Sequence, residues 1–331
     1  MNTVCCFGEL LLRFAPNNEW TGNNTMPVFI GGAELNAATA LANWHIPVKY
    51  VTALPQNYLA GQTVKQVTER NINTGDIIFS GNRIGIYYLP VGSELKNSGV
   101  IYDRANSSFS ELKPGIINWK NVFAGCTWFH FSAISPALNE NVAAVCKEAL
   151  EAATAMGLTI SVDLNYRSKL WQYGKQPLDV MPGLLKYCHV VMGNIWAAES
   201  LVGIKSTIAE SRGKTKEQLI EATGKSMLQI HQQYPQVSTM AYTFRLDNSY
   251  WAAMQHGTEM QISKEFIIKD VVDKVGSGDC FMAGLIYGLY NKHSAKDSID
   301  FAAAAAVGKL QEAGDASTQT EKNIQNTITN E

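Results

Sequence analysis

None of the six cysteines forms a Cys-x-x-Cys pair, and the six histidines are scattered without ligand-like spacing. This pattern argues against a zinc site or a disulfide scaffold. The expectation is buried free thiols in a reducing compartment, the cytoplasm. No apolar run approaches the ~20 residues that span a bilayer, and the first residues carry no charged segment followed by a cleavage site. Charge is sparse, with 27 Lys and Arg against 29 Asp and Glu and a net charge of −2. Without a basic excess, neither nucleic acid nor an anionic membrane is an expected partner. What is present is 331 residues that are 46% hydrophobic, enough for a large core.

Apolar segments alternate along most of the chain. Thr3 to Phe14 reads as an early buried strand interrupted by Gly8-Glu9, and Asn17 to Asn24 as a polar loop. A helix follows from Leu35 to Trp44, then a strand from Val48 to Leu54 and a helix from Gly61 to Asn71. The rhythm resumes at Thr127 to Ser132 and continues with a helix from Asn141 to Met156 and a strand from Leu158 to Leu164. It runs on through Val190–Met192 and Val237–Phe244 to a small-residue helix, Phe301 to Leu310. Strand–helix–strand repetition predicts a mostly parallel sheet with helices on both faces, built as one α/β domain over residues 1–331. The rhythm breaks between Asn82 and Leu112. Ile84–Pro90 and Val100–Arg104 are aromatic and β-branched runs that read as antiparallel strands of a small inserted sheet. Lys205 to Lys225 is polar and reads as a surface insertion, and the tail from Thr318 as loosely ordered.

The chain is organised around Asp270 to Gly284, a strand end, a glycine turn and an apolar helix. Gly276 and Gly278 allow a tight turn and close approach of a ligand. A glycine turn opening a buried helix presents free N–H groups and a positive dipole end, which suits a phosphate. Asp279 in the first turn is either a helix cap or a catalytic carboxylate. Gly31-Gly32-Ala33-Glu34 opens an earlier helix, with Asn36 one turn in. Asp163, Asn165 and Arg167 emerge at the end of a strand, where open α/β sheets bind ligands. Arg167 can grip a carboxylate with two hydrogen bonds. Tyr102 and Arg104 share one face of an inserted strand, with Tyr87 on its neighbour.

Asp273-Lys274-Val275-Gly276-Ser277-Gly278-Asp279 resembles the C-terminal signature of the ribokinase-like (PfkB) carbohydrate kinases. Gly31–Glu34, Gly85–Tyr87, Tyr102–Arg104, Ser135–Leu138 and Asp163–Trp171 sharpen the resemblance toward its 2-keto-3-deoxygluconate kinases, over about Gly8 to Gly314. The resemblance implies a ribokinase-like fold with a β-sheet lid formed by about residues 10–30 and 82–112. It also implies ATP and Mg²⁺, the metal held mostly through water with no direct protein ligand. Asp279 would be the base, and the N–H groups of Gly276, Ser277 and Gly278 the anion hole. Gly31, Gly32, Asn36, Tyr87, Tyr102, Arg104, Ile134, Asn165 and Arg167 would hold an acid sugar. Asn194, Thr243, Gly276 and Gly278 would meet the nucleotide, and the lid would pair two subunits into a homodimer. Two departures stand out. Ala197 replaces the Glu of the family's Asn-x-x-Glu, and Thr243 to Ser249 lacks the glycines usual at the nucleotide turn. A fructokinase or another sugar kinase of the family is the rival within the class. A catalytically silent sugar-binding regulator is the rival outside it.

Overall fold

The computed structural model describes residues 2–16, 25–92 and 99–330. The polar loop read at Asn17 to Asn24, and 93–98 within the loop between the inserted strands, lie outside them. The chain opens with β1 (Thr3–Phe7) and β2 (Leu11–Phe14), separated by Gly8-Glu9-Leu10. β3 (Val28–Gly31) runs into α1 (Ala33–Asn43), followed by β4 (Val48–Val51), β5 (Ala53–Leu54), α2 (Tyr58–Glu69), β6 (Ile72–Asn73) and β7 (Ile78–Phe79). β8 (Gly85–Tyr88) and β9 (Ile101–Asp103) come next, then α3 (Trp119–Val122), β10 (Cys126–Ser132), α4 (Glu140–Ala155) and β11 (Thr159–Asp163). The middle of the chain holds α5 (Pro177–Leu185), β12 (Val190–Gly193), α6 (Ile195–Val202) and α7 (Lys216–Gln233). The last part comprises β13 (Thr239–Arg245), β14 (Ser249–His256), β15 (Glu259–Ile262), β16 (Phe266–Ile267), α8 (Ser277–Tyr290), α9 (Ala295–Lys309) and α10 (Glu321–Thr329).

The main sheet has the order β15-β14-β13-β12-β11-β10-β1-β4-β6, with β16 on β14. Its pairs from β6 to β13 are parallel, and β14 joins antiparallel. The side-chain period of two explains its two cores. Val4 and Cys6 of β1 pack with α1, α8 and α9, whereas Cys5 and Phe7 pack into the core beside α4, α5 and α6. Both faces are covered, so central strands are apolar on both sides. The small-residue helix α9 packs tightly on α8. A Cβ on Gly284 would come 2.6 Å from Ala302 Cα, and one on Gly288 would come 2.4 Å from Ser298 Oγ. All six cysteines are buried and free.

The small sheet has the order β3-β2-β8-β9. β8 and β9 pair antiparallel as expected, with Tyr87 opposite Tyr102, but β2 pairs parallel to β8. The run Thr3 to Phe14 is therefore two strands in two sheets. The chain crosses from one sheet to the other at Gly8–Leu10, a change that apolar patterning alone does not reveal. Val48 to Leu54 likewise divides into β4 and β5.

Two polar segments are more ordered than their composition suggests. The second half of the 205–225 stretch is the start of α7, capped by a reciprocal pair between Thr215 and Gln218. Its buried face is Leu219, Ala222, Thr223, Ser226, Met227 and Ile230. The helical spacing is there, but carried by small and hydroxyl side chains. The tail also docks. α10 buries Ile324, and the backbone before it is tied down by Asn43 Nδ2 donating to Ser317 O (2.7 Å) and Trp44 Nε1 to Gln319 O (3.1 Å).

Candidate active site

Glu9 after β1, Asp163 ending β11, Asn194 after β12 and Thr243 on β13 gather at the carboxyl edge of the parallel strands. The N-terminus of α8 faces them. Its N-cap is Gly276 at φ 80°, and a Cβ there would come 1.9 Å from Asp315 O, so only glycine fits. Ser277 Oγ donates to Ala306 O (2.9 Å), which ties the turn to α9. Gly278 faces open space. The first-turn N–H groups of a helix have no acceptor within it, and here they open onto a cavity of about 770 Å³.

Asp279 stands at the third helical position, so the cap reading is overturned: the cap is Gly276. Asn36 Nδ2 donates to Asp279 Oδ2 at 2.7 Å. Burial pushes the Asp279 carboxyl up to about 7, against the opposing pull of the Asn36 hydrogen bond. Asn36 Oδ1 is buried and has no hydrogen-bond partner in the protein, as expected of a group aimed at a ligand.

A second, smaller cavity lies beside the first. Gly32, Asn36, Tyr87, Arg104 and Ile134 line it, under the small sheet. Tyr102, Asn165, Arg167 and Asp279 line both cavities, so they form the junction between them. Gly32 has φ 129° and caps α1, and a Cβ there would come 2.3 Å from Glu9 O. Gly31 lines neither cavity. It packs on Asp315, whose carboxylate would meet any Cβ at that position. Two polar candidates already have partners. Arg104 Nε donates to Glu9 Oε2 at 2.6 Å, a buried pair, and Tyr87 Oη donates to Asp315. The two arginines therefore differ: Arg104 is held by an internal carboxylate, and Arg167 stands at the junction with its Nη1 on Tyr166 O (3.1 Å).

On the other side, Asn194 caps α6, its Oδ1 accepting from Ala197 N at 2.8 Å, and it lines the large cavity with Thr243. Ala197 is buried, and Glu199 is exposed and lines neither cavity, so Glu199 does not take the place of the missing carboxylate. Asp163 and Asp279 are the carboxylates of the large cavity, and no three metal-ligating side chains cluster among the described residues. Two carboxylates beside the turn are hard oxygen donors, which fit a Mg²⁺ arriving on nucleotide phosphates with its own water.

Reading the sequence missed Glu9, Glu34, Arg13 and Asp315. Glu34 lies under the small cavity and accepts from Ser132 N (2.9 Å), Ser132 Oγ (2.6 Å) and Ser135 Oγ (3.3 Å). Burial holds its carboxyl up at about 7. Its signal was available, since it is a charged residue in the first turn of an otherwise apolar helix, and Glu9 likewise interrupts an apolar run. Ser211 of the supposed surface insertion also lines the large cavity.

An acid at the meeting point of two cavities, beside a glycine turn at a helix N-terminus, places a candidate proton acceptor next to a candidate phosphate site. The sequence profile of the pfkB family carbohydrate kinases matches residues 1–322, and the chain belongs to that family. It is similar to a 2-dehydro-3-deoxygalactonokinase from Haloferax volcanii, 25% identical over 97% of this chain and 95% of that one. It is similar to the 2-dehydro-3-deoxygluconokinase of Bacillus subtilis, 24% identical over 93% and 90%. The crystal structure of 2-dehydro-3-deoxygluconokinase from Thermotoga maritima superposes with a TM-score of 0.89 at 30% identity, covering 99% of this chain and 100% of that one. A fructokinase from Xylella fastidiosa with bound ATP shares the fold, with a TM-score of 0.79 at 18% identity over 99% and 98%.

Proposed function

We propose that this chain transfers the γ-phosphoryl group of ATP to a primary hydroxyl of 2-keto-3-deoxygluconate. The observation that carries the reading is the position of Asp279, open at once to a small cavity under the small sheet and a large one beside the glycine turn. The acid sugar would lie under the small sheet, with its reacting hydroxyl toward Asp279 and its carboxylate toward Arg167. Asp279 takes the hydroxyl proton as the oxygen attacks phosphorus. The bond to the β-phosphate oxygen breaks, and ADP leaves. The N–H groups around Gly276, Ser277 and Gly278 stabilise charge on the moving group. Magnesium, when bound with ATP, neutralises phosphate charge. The small sheet acts as a lid that excludes water from the junction. A coupled kinase assay over 2-keto-3-deoxygluconate, its galactonate epimer, gluconate, fructose and ribose tests the reading. Fastest turnover with a keto-deoxy acid is expected. Fastest turnover with fructose sinks the substrate, and sugar binding without turnover of any member makes the chain a regulator.

Losing a charge-assisted partner costs about 1.5–3 kcal/mol. Arg167→Ala is therefore expected to weaken acid sugars on the order of ten- to a hundredfold and leave neutral sugars nearly unchanged. Arg104→Ala strands Glu9, so it should lower thermal stability as well as affinity. Equal loss by Arg167→Ala for both sugar types removes the carboxylate contact.

The lid also fits pairing of two chains. Its edge strands carry Val28, 48% exposed, and Ile101, 51% exposed, and exposed apolar edges are usually covered. Light scattering at micromolar protein should return a dimer mass, and Val28→Lys with Ile101→Lys a monomer. A monomer mass for the unaltered chain ends the dimer proposal.

A further inference from the structure

Behind the glycine turn lies a cluster of four buried charges. Asp273 and Asp315 are the carboxylates, and Arg13 bridges them from the small sheet at 2.7 and 3.1 Å. The fourth charge is Lys309, the last residue of α9, with no exposed surface. Its Nζ donates to two backbone carbonyls, Glu312 O at 3.1 Å and Gly314 O at 2.8 Å. Its Cε lies 3.3 Å from where a Cβ of Gly276 would be. The ammonium therefore sits just beneath the turn that opens α8, on the side away from the cavity.

Two features give this lysine a task. The first is charge: Asp273 and Asp315 share one guanidinium, and Glu312 adds a further carboxylate near Lys309. An excess of negative charge behind the turn would oppose any phosphate in front of it, and Lys309 offsets it. The second is mechanical. Residues 312–315 press on Gly276, with Asp315 O at 1.9 Å from its hypothetical Cβ, and Lys309 holds two of their carbonyls. Burying an ammonium without a carboxylate in contact is costly. A neutral side chain could have closed the helix end without that cost.

We propose that Lys309 is a positioning residue for phosphoryl transfer, an internal cation that offsets the negative charge behind the Gly276–Gly278 turn and holds 312–315 against it. The proposal rests on the reading that this turn carries the transferring phosphoryl group. Lys309 touches neither substrate. It acts through the turn, so its removal lowers turnover and leaves the sugar contacts in place.

Lys309→Gln separates charge from structure, because the amide keeps N–H donors for the two carbonyls and loses the charge. With kinase activity first established for the unaltered chain, kcat and both KM values are measured for Lys309→Gln and Lys309→Arg, with thermal melts alongside. The expected result for Lys309→Gln is a cooperative melt, kcat down on the order of ten- to a hundredfold and sugar KM within about threefold. Lys309→Arg recovers turnover at least in part. In Lys309→Ala, ammonium or potassium ions raise kcat by entering the vacated space. Turnover by Lys309→Gln within about threefold of the unaltered chain overturns the proposal. So does a loss of activity that merely tracks the folded fraction of all three variants. An unaltered chain without kinase activity overturns the functional reading itself, a distinct outcome.

Discussion

Asp279→Asn is expected to fold and to lose at least about a hundredfold of turnover, on the scale of general-base effects. The substitution keeps the shape, and an amide can still meet Asn36, now 2.7 Å from the carboxylate. It removes only the ability to take a proton. Helix α8 keeps its cap, because that is Gly276. The pH dependence follows from the same group. The folded carboxyl titrates near 7 instead of 3.8, so the ionised base forms only as pH rises through that value. kcat/KM should climb about tenfold per pH unit below 7 and level off above it. Stability moves the opposite way. Between about pH 4 and 7 the folded state holds this proton more tightly than the unfolded chain, so this group's contribution falls as pH rises. Above pH 7, Asp279→Asn should be at least as stable as the unaltered chain while nearly inactive. Residual turnover above a few per cent, or a flat acid limb, excludes Asp279 as the base.

Arg13→Leu is expected to cost about 3–5 kcal/mol, the range for breaking a buried ion pair from one side. All five guanidinium N–H groups have acceptors: Leu89 O, Pro90 O, both oxygens of Asp273 and one of Asp315. Removing them leaves two carboxylates without their counter-charge and frees β2 of the small sheet from the segment leading to the glycine turn. Exposed Lys65, 3.8 Å from Glu69 one turn away, is the control. Lys65→Ala should change stability by no more than about 0.5 kcal/mol. Urea unfolding of both variants checks the pair of values. Arg13→Leu within about 1 kcal/mol of the unaltered chain would mean that Asp273 and Asp315 find other partners. Loss of sugar affinity before loss of folding would show the small sheet loosening first.

Several features were legible because they depend on neighbours in sequence. The glycine turn at 276–278, the apolar α8 behind it and the pairing of Tyr87 with Tyr102 all rest on local spacing, and strand or helix period carries that directly. Polar faces built from small residues were not legible. In α7, Thr223 and Ser226 occupy core positions that apolar patterning leaves blank. The tail read as loose because its anchors are single hydrogen bonds from Asn43 and Trp44, some 275 residues upstream.

From the sequence alone came the alternating α/β architecture, the inserted sheet, and the kinase signature with its acid and its anion turn. Each depends on residue type and short spacing, which survive without coordinates. Only the tertiary structure decided how the charges pair. Arg104 is held by Glu9, 95 residues away, and Arg13 by Asp273 and Asp315, more than 250 residues away. Lys309 meets the turn only because α9 ends beneath it. The structure also settled that Asp279 is no cap, since that depends on which backbone donors its oxygens reach. A charge in a sequence has no partner until the fold excludes water around it, and burial then makes the choice of partner costly to change.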